Sequence, residues 1–382
     1  MVTANTQRWK VPLADLVVSE AEIEAVAAVY RSGWLSQGPV TRAFEEAIEA
    51  YTGAPHAIAV TNCTAALHLM TSVAGLGPGD EVVMPALTFV ATANSVAYTG
   101  AKPVFADIVS PTQPWLDPES AAASITPRTK AIVSMAYGGH PGESVALHAL
   151  ATANGLTFLE DAAHALGSHV AGRHVGTLGS AGAYSFFSNK NLTVGEGGMV
   201  VCADDAVADE LRLLRSHGMT SLSWDRHRGH ASGYDVVALG FNYRIDEARC
   251  ALGIQRLMQL DENNARRAQI DARYRTLLAD IPGVELALEP PPGATLAHHL
   301  FTIVLDARLD RDATRAALAS EGVQTSVHYP PAHHFQIYAR DAPTLPVTED
   351  YARRAISLPI FPHMTEEQTQ LVAASVRRAC SA

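Results

Sequence analysis

The stretch AYSFFSNKNLTVGEGGMVVC, residues 183–202, places Lys190 between an apolar run and a turn that contains three glycines. The chain has four lysines among its 28 basic residues, so arginine is used at almost every other basic position. A lysine held in a pocket can lose its proton and attack a carbonyl carbon, whereas arginine stays protonated. The alternative is a solvated surface lysine. The choice of lysine beside a glycine-rich turn, which permits tight backbone conformations, favours a chemical role.

Short apolar runs alternate with helix-like segments on both sides of Lys190, from about residue 55 to 218. The segments between the runs have the apolar spacing of helices, and several end at a glycine. Such alternation predicts an α/β fold with a mostly parallel sheet covered on both faces, and ligands then bind beyond the carboxyl ends of the strands. The seven predicted strands are 56–60, 80–85, 102–108, 130–137, 156–161, 181–187 and 197–203.

The pattern changes after residue 240. Residues 245–280 predict a long, bent helix that runs into a second domain, and a strand at 300–307 and helices at 311–322 and 365–380 follow. We therefore expect a large domain over residues 1–245 and a smaller C-terminal α+β domain over 246–382. Segment 1–20 is expected to pack on the smaller domain.

Composition limits the function classes. Hydrophobic residues make up 48% and charged residues 18% of the 382 residues, as in ordinary globular enzymes. The formal net charge of -11 argues against a nucleic-acid or anionic-membrane partner, and no apolar run is long enough for a membrane helix. The four cysteines are far apart, which predicts reduced thiols and a cytoplasmic protein without a metal site.

Four positions that follow predicted strands could carry chemistry. Residues 61–66, TNCTAA, open a helix whose free N–H groups, with the Thr64 hydroxyl, could cradle a phosphate, although an ordinary helix cap is the alternative. Phe89 could offer a flat surface to an aromatic ligand or could belong to the core.

Asp161 closes an apolar strand, where a buried carboxylate needs a cation or strong hydrogen-bond donors. His164, three residues on, could reach the same ligand. The alternative for Asp161 is an ordinary helix N-cap. Together with Lys190, these residues describe a site for pyridoxal 5′-phosphate (PLP).

Several motifs, in order along nearly the whole chain, resemble the sugar aminotransferases of the DegT/DnrJ/EryC1/StrS family. The resemblance implies the fold-type I PLP-transferase architecture and a homodimer. The matching stretches are GWLSQGPVTRAFEEAIEAYTG, CTAALHL, GPGDEVVMPALTFVATANSV, ITPRTKAIV, LEDAAHALGS, YSFFSNKNLTVGEGGMV, GFNYRIDEARCALGIQRL and VHYPPAHH.

The resemblance implies a role for each matched residue. Lys190 would form the Schiff base with the cofactor and shuttle the proton, and Asp161 would pair with the ring nitrogen. His164 would lie near the ring 3-hydroxyl, and Phe89 would stack on the ring. The implied phosphate ligands are Thr64, the backbone at Cys63, Ser185 and, from the neighbouring subunit, Asn242. Trp34 and His333 match positions near the sugar-nucleotide site.

Two departures from the family pattern stand out. Cys63 takes a place where glycine is frequent, which leaves a backbone donor intact. Residues 136–139 read AYGG where the family often has His-Leu-Tyr-Gly, so the lysine chemistry stays possible and the identity of the substrate is open.

The predicted reaction is transfer of an amino group, with L-glutamate as the expected donor, to a keto sugar such as a nucleotide-linked 4-keto-6-deoxyhexose or 3-keto hexose. A cyclitol ketone is an alternative acceptor. A pyridoxamine-dependent sugar dehydratase is a second alternative, which Lys190 disfavours because those relatives carry histidine at this position.

Other classes of protein fit less well. His217, His227 and His230 could suggest zinc, but no cysteine or carboxylate pattern completes a site. The glycines of GLGPGD, residues 75–80, precede a predicted strand, whereas a dinucleotide fingerprint follows one. A binding homologue without catalysis is disfavoured by the intact lysine and aspartate.

Overall fold

A computed structural model describes residues 9–221, 224, 233–291 and 294–381. Its α-helices are α1 Glu20–Ser32, α2 Pro39–Thr52, α3 Cys63–Val73, α4 Val90–Tyr98, α5 Pro118–Ala123, α6 Ser144–Ala153, α7 Asp205–Arg215, α8 Glu247–Leu257, α9 Leu260–Leu278, α10 Arg311–Ser320, α11 Pro346–Arg354 and α12 Glu366–Ser381. Its strands are β1 His56–Val60, β2 Glu81–Pro85, β3 Lys102–Ala106, β4 Ile108–Ser110, β5 Gln113–Leu116, β6 Thr129–Met135, β7 Thr157–Asp161, β8 His169–Val170, β9 Arg173–His174, β10 Ala181–Ser185, β11 Gly198–Cys202, β12 Val284–Leu286, β13 Phe301–Leu305 and β14 Ala355–Leu358.

The main sheet has seven strands in the order β1, β11, β10, β7, β6, β2, β3. The pairs from β10 to β3 are parallel, and β11 runs antiparallel to both of its neighbours. The seven strands predicted from sequence are these seven, so the prediction of a mostly parallel, seven-stranded sheet is confirmed. The short pairs β4–β5 and β8–β9 were not predicted.

Both faces of the sheet are buried, as continuous apolar strands require. Along β1, Ile58 and Val60 join the core on the face of α3 and α4, whereas Ala57 and Ala59 join the core on the face of α2 and α8. Because side chains alternate along a strand, each strand contributes to both cores. Helices therefore cover both faces of the sheet. A ligand can then approach at the carboxyl ends of its strands.

The carboxyl ends of the parallel strands bring the predicted site residues to one edge. Asp161 is the last residue of β7, Ser185 is the last residue of β10, and α3 begins at Cys63, just after β1. A Cβ on Gly198 would lie 2.6 Å from the carbonyl carbon of Asn62 and 2.7 Å from Cys63 N. The glycine lets β11 pass directly against the start of α3.

A second, three-stranded antiparallel sheet, β12–β13–β14, has a core of its own with α9, α10 and α12. Val11 is fully buried in this core and pairs with Val323. The long helix predicted over residues 245–280 is two helices, α8 and α9, separated by Met258 and Gln259. The domain boundary at 245/246 stays a prediction, and the first eight residues lie outside the described part.

Two further observations bear on the sequence expectations. Cys63, Cys202, Cys250 and Cys380 are all free thiols. Among the helices that the structure describes, none combines the length and the apolar character that a bilayer crossing requires.

Candidate active site

A cavity of about 410 Å³ lies at the carboxyl edge of the main sheet, and we call it the lysine cavity. It brings together seven of the residues predicted from sequence, although these come from four separate segments of the chain. They are Cys63, Thr64, Phe89, Asp161, His164, Ser185 and Lys190.

Lys190 lies in the turn between β10 and β11, and its N–H donates to the carbonyl of Phe187 at 2.9 Å. Burial lowers the pKa of the Lys190 ammonium to about 8, while the nearby Cys63 and Asp161 act in the opposite direction. Near neutral pH, Lys190 is therefore the free amine in part of the protein molecules. The amine is the form that attacks a carbonyl carbon.

Asp161 is 2% exposed and forms no salt bridge with any described residue. Its Oδ2 accepts a hydrogen bond from the Thr92 hydroxyl at 2.7 Å, and its Oδ1 accepts one from Ala163 N at 3.1 Å. Burial raises the pKa of the carboxyl group, against the lowering effect of these donors and of Lys190. A buried carboxylate of this kind is stabilised by a cationic ligand in the cavity.

The ring of His164 contacts two residues from distant parts of the chain, Gly138 and Tyr329. Gly138 N donates to its Nδ1 at 3.2 Å, and its Nε2 lies 2.9 Å from the Tyr329 hydroxyl. Burial lowers the pKa of His164 far below its usual value, so the ring is neutral. Because Nδ1 accepts a hydrogen bond, the ring proton sits on Nε2 and donates to the Tyr329 oxygen. The hydroxyl proton of Tyr329 then remains available to an oxygen atom of a ligand.

The start of α3 supplies anion-binding groups. The Asn62 side chain caps the helix by accepting from Ala65 N at 2.9 Å. The N–H groups of Cys63 and Thr64 have no hydrogen-bond partner within the described residues. With the Thr64 and Ser185 hydroxyls beside them in the cavity, they form a cradle for a phosphate at a helix N-terminus.

Phe89 precedes α4 and is 53% exposed, so it is not a core residue. Its ring lies 5.8 Å from that of Tyr329 across the cavity. The exposed ring face is available for stacking on a flat ligand.

Three predicted site residues lie outside the lysine cavity of their own chain. Asn242 is exposed and its backbone pairs with Ser216. Trp34 lines a separate cavity, with its ring 4.8 Å from that of Trp224. His333 is 1% exposed and packs against Phe105. Their predicted contacts stay predictions.

The rival metal hypothesis rested on residues that the structure describes only in part, since His227 and His230 lie outside the described residues. The described residues contain one other group of suitable side chains, His333, His334 and Glu349, whose ligand atoms lie within 4.8 Å of one another. Glu349 already accepts hydrogen bonds from Leu345 N and from His333, so its carboxylate has protein partners.

Sequence reasoning missed three residues that shape the cavity. Thr92 holds Asp161, Tyr329 meets His164, and the buried Oδ1 of Asn189, next to Lys190, has no hydrogen-bond partner in the described chain. Tyr329 lies in the motif HYPP, where it could have been found. Thr92 is 69 residues from Asp161, so no local signal pointed to it.

PLP fits this set of side chains. The unpaired N–H groups of Cys63 and Thr64 suit a phosphate, the unpaired Asp161 suits a protonated ring nitrogen, and Lys190 suits the aldehyde carbon. The fold and this site define the class of the fold-type I PLP-transferases.

Comparison with known proteins then defines the family. The model of the DegT/DnrJ/EryC1/StrS aminotransferase family matches residues 17–377. The chain belongs to this family and is an enzyme, a sugar aminotransferase of the PLP-dependent class.

Individual relatives support the assignment to this family. The spore coat polysaccharide biosynthesis protein SpsC of Bacillus subtilis is 39% identical over 375 residues, 96% of each chain. DesV of S. venezuelae, solved in complex with a ketimine intermediate, is 37% identical with a TM-score of 0.87 over 94% of each chain. DesI, solved in the presence of its TDP-sugar product, is 34% identical with a TM-score of 0.88, over 98% of this chain and 94% of DesI.

Proposed function

We propose that this enzyme binds PLP through Lys190 and transfers an amino group from L-glutamate to a nucleotide-linked keto sugar. The single observation that carries the proposal is that Lys190 and the buried, unpaired Asp161 line one cavity. Part of the Lys190 population is the amine near neutral pH, and the Asp161 carboxylate forms no salt bridge with a described residue, so a cation bound in the cavity would stabilise it. A protonated pyridine ring that carries an aldehyde would satisfy both residues, because the aldehyde reacts with the lysine amine and the ring nitrogen pairs with the carboxylate.

Each side chain then has a definite task. When bound, the cofactor supplies a carbonyl that condenses with amines and a ring that accepts the electron pair released at the substrate carbon. Lys190 Nζ would hold the cofactor and, as a free amine, would take up and return the proton of the substrate carbon. Asp161 would keep the ring nitrogen protonated, while the Tyr329 hydroxyl and the His164 ring would orient the ring 3-hydroxyl group. The cradle at Cys63, Thr64 and Ser185 holds the phosphate.

The acceptor is proposed to be a nucleotide-linked 4-keto-6-deoxyhexose or 3-keto hexose. The TDP-sugar product of DesI and the role of SpsC in a polysaccharide pathway support a sugar acceptor. A cyclitol ketone remains the alternative acceptor. The dehydratase alternative is disfavoured, because an amine at position 190 can form and release the covalent link in each cycle.

We propose a homodimer in which Asn242 reaches the cofactor phosphate of the neighbouring subunit. Asn242 is exposed, and the residues just before it include Val236, Val237 and Leu239, which expose 55%, 59% and 93% of their surface. Exposed apolar side chains in one segment are typical of a protein interface. Trp34 and His333 stay proposed substrate contacts, and the reduced thiols suit the proposed cytoplasmic location.

Two measurements test the proposal. Purified protein mixed with PLP and then borohydride should gain the mass of the cofactor on the peptide that contains Lys190. Lys190→Ala should lose that mass and all turnover, whereas Lys130→Ala, at an exposed position, should keep both. A panel of nucleotide-linked keto sugars and cyclitol ketones with glutamate, analysed by mass spectrometry, should show an amino product. Turnover by Lys190→Ala, or amination of cyclitol ketones alone, would contradict the proposal.

A further inference from the structure

A second cavity, of about 260 Å³, adjoins the lysine cavity at Lys190, which lines both. We call it the arginine cavity, because Arg256, Arg266 and Arg267 of helices α8 and α9 line it. The carboxylates that line it are Asp15 and Glu22, both from the segment at the start of α1. Lys190 therefore lies between the lysine cavity and a second space whose lining carries an excess of positive charge.

Most of these charges are already paired. Arg256 forms a salt bridge with Glu22 at 3.2 Å, Arg266 with Glu262 at 2.5 Å, and His363 with Asp15 at 3.0 Å. Arg267 differs, since no described carboxylate lies within salt-bridge distance of it.

Arg267 is also deeply buried, with 5% of its surface exposed. Its Nη1 donates to the carbonyl of Ile360 at 2.8 Å, and its Nε has no hydrogen-bond partner within the described residues. Burial lowers the pKa of the guanidinium to about 10, so it remains charged at neutral pH. A buried cation without a counter-ion is costly, and an oxyanion that pairs with it in a two-pronged geometry removes that cost.

We propose that the arginine cavity, through Arg267, binds the distal carboxylate of a dicarboxylic amino donor. This inference rests on the proposed aminotransferase function. The amino group of the donor must meet the lysine cavity, so the end of the donor remote from that group extends past Lys190. A small cavity with one unpaired guanidinium suits a short chain ending in a carboxylate. Arg267 thereby becomes the residue that selects glutamate over donors with an uncharged side chain.

The test separates binding from catalysis. Calorimetry with glutarate, an unreactive dicarboxylate, should show binding to the wild-type holoenzyme, with butyrate binding more weakly. In Arg267→Met the dissociation constant of glutarate should rise by at least about tenfold, and in Arg267→Lys by less, because an ammonium keeps the charge and loses the two-pronged geometry. Arg273→Lys, on the same helix and outside the cavity, is the control and should bind as the wild type does. Equal glutarate affinity in all four proteins would overturn the proposal.

Kinetics supply the second reading. Arg267→Met should raise KM for glutamate and leave KM for the keto sugar unchanged, so the preference for glutamate over alanine should fall by about tenfold. If both donors lose activity equally, Arg267 is structural and the proposal is wrong. If KM rises only for the nucleotide sugar, the bound oxyanion is its diphosphate and the proposal is also wrong.

If Arg267→Met does not fold, Arg267→Lys is used for both the calorimetry and the kinetics. If the wild type aminates no keto sugar, the proposed function fails, while glutarate binding still tests the subsite.

Discussion

His164 Nε2 and the Tyr329 hydroxyl oxygen lie 2.9 Å apart, although 165 residues separate them in the chain. The contact joins the loop after β7 of the main sheet to the segment before α11. Because Gly138 N occupies Nδ1, the neutral His164 ring donates to Tyr329 and leaves the tyrosine proton for a ligand. The two residues act as one unit at the edge of the cavity.

Removing the Tyr329 hydroxyl should therefore impair orientation without abolishing chemistry. We expect Tyr329→Phe to lower kcat by roughly tenfold, the equivalent of one hydrogen bond. The absorbance maximum of the bound cofactor should also shift, because its oxygen loses a donor. Tyr98→Phe, at an exposed position, is the control for a lost phenol. Unchanged kcat and spectrum in Tyr329→Phe would show that the hydroxyl does not face the cofactor.

Asp161→Asn should separate the stability of the apoprotein from catalysis. The folded-state pKa of Asp161 is raised by burial, so in the wild type the stability that the neutral carboxyl contributes is lost as pH rises through that pKa. The amide carries no charge, so at pH 7 the variant apoprotein should be at least as stable as the wild type. Its kcat should fall by at least about 100-fold, since the ring nitrogen loses its counter-charge.

Thermal melts of apo and holo forms measure the first part, and turnover measures the second. The rise in Tm on cofactor binding should be smaller in Asp161→Asn than in the wild type. An apo variant clearly less stable than the wild type, with full activity, would contradict both parts.

The lowered pKa of Lys190 predicts a pH dependence for loading the enzyme. The pKa of about 8 means that the amine is increasingly deprotonated as pH rises through 8, and is the cation below it. The rate at which PLP forms its covalent link to the apoprotein should rise from pH 6 and level off above about pH 9. Stopped-flow absorbance at several pH values provides the measurement. A rate still rising steeply between pH 9 and 10.5 would indicate an ordinary lysine pKa.

Gly198→Ala should damage the phosphate cradle. The added Cβ would meet the backbone of Asn62 and Cys63 at 2.6 and 2.7 Å, and backbone cannot move aside as a flexible side chain can. We expect a loss of about 1–3 kcal/mol in the free energy of unfolding and weaker cofactor binding. Gly77→Ala, where a Cβ has open space and φ is not positive, is the matched control and should be within about 0.5 kcal/mol of the wild type. Chemical denaturation and cofactor titration of both variants measure these effects.

The sequence was sufficient for the main sheet because its strands are short apolar runs between capped helices, and all seven were found within a few residues. The long helix at 245–280 was only partly predicted. Its apolar spacing continues through Met258 and Gln259, but the helix is interrupted at these two residues. The short strands β4, β5, β8 and β9 have two to four residues, too few for a periodic signal.

What the sequence by itself determined is the chemistry: one lysine after β10, an aspartate closing β7 and a helix start after β1 all belong to strand ends that a parallel sheet must place at one edge. What only the tertiary structure decided is how those groups are held and charged. The donors to Asp161 and the partner of His164 come from distant segments, and the unpaired state of Arg267 depends on which carboxylates happen to reach it. Burial and pairing are properties of contacts between remote residues, and local sequence patterns do not encode them.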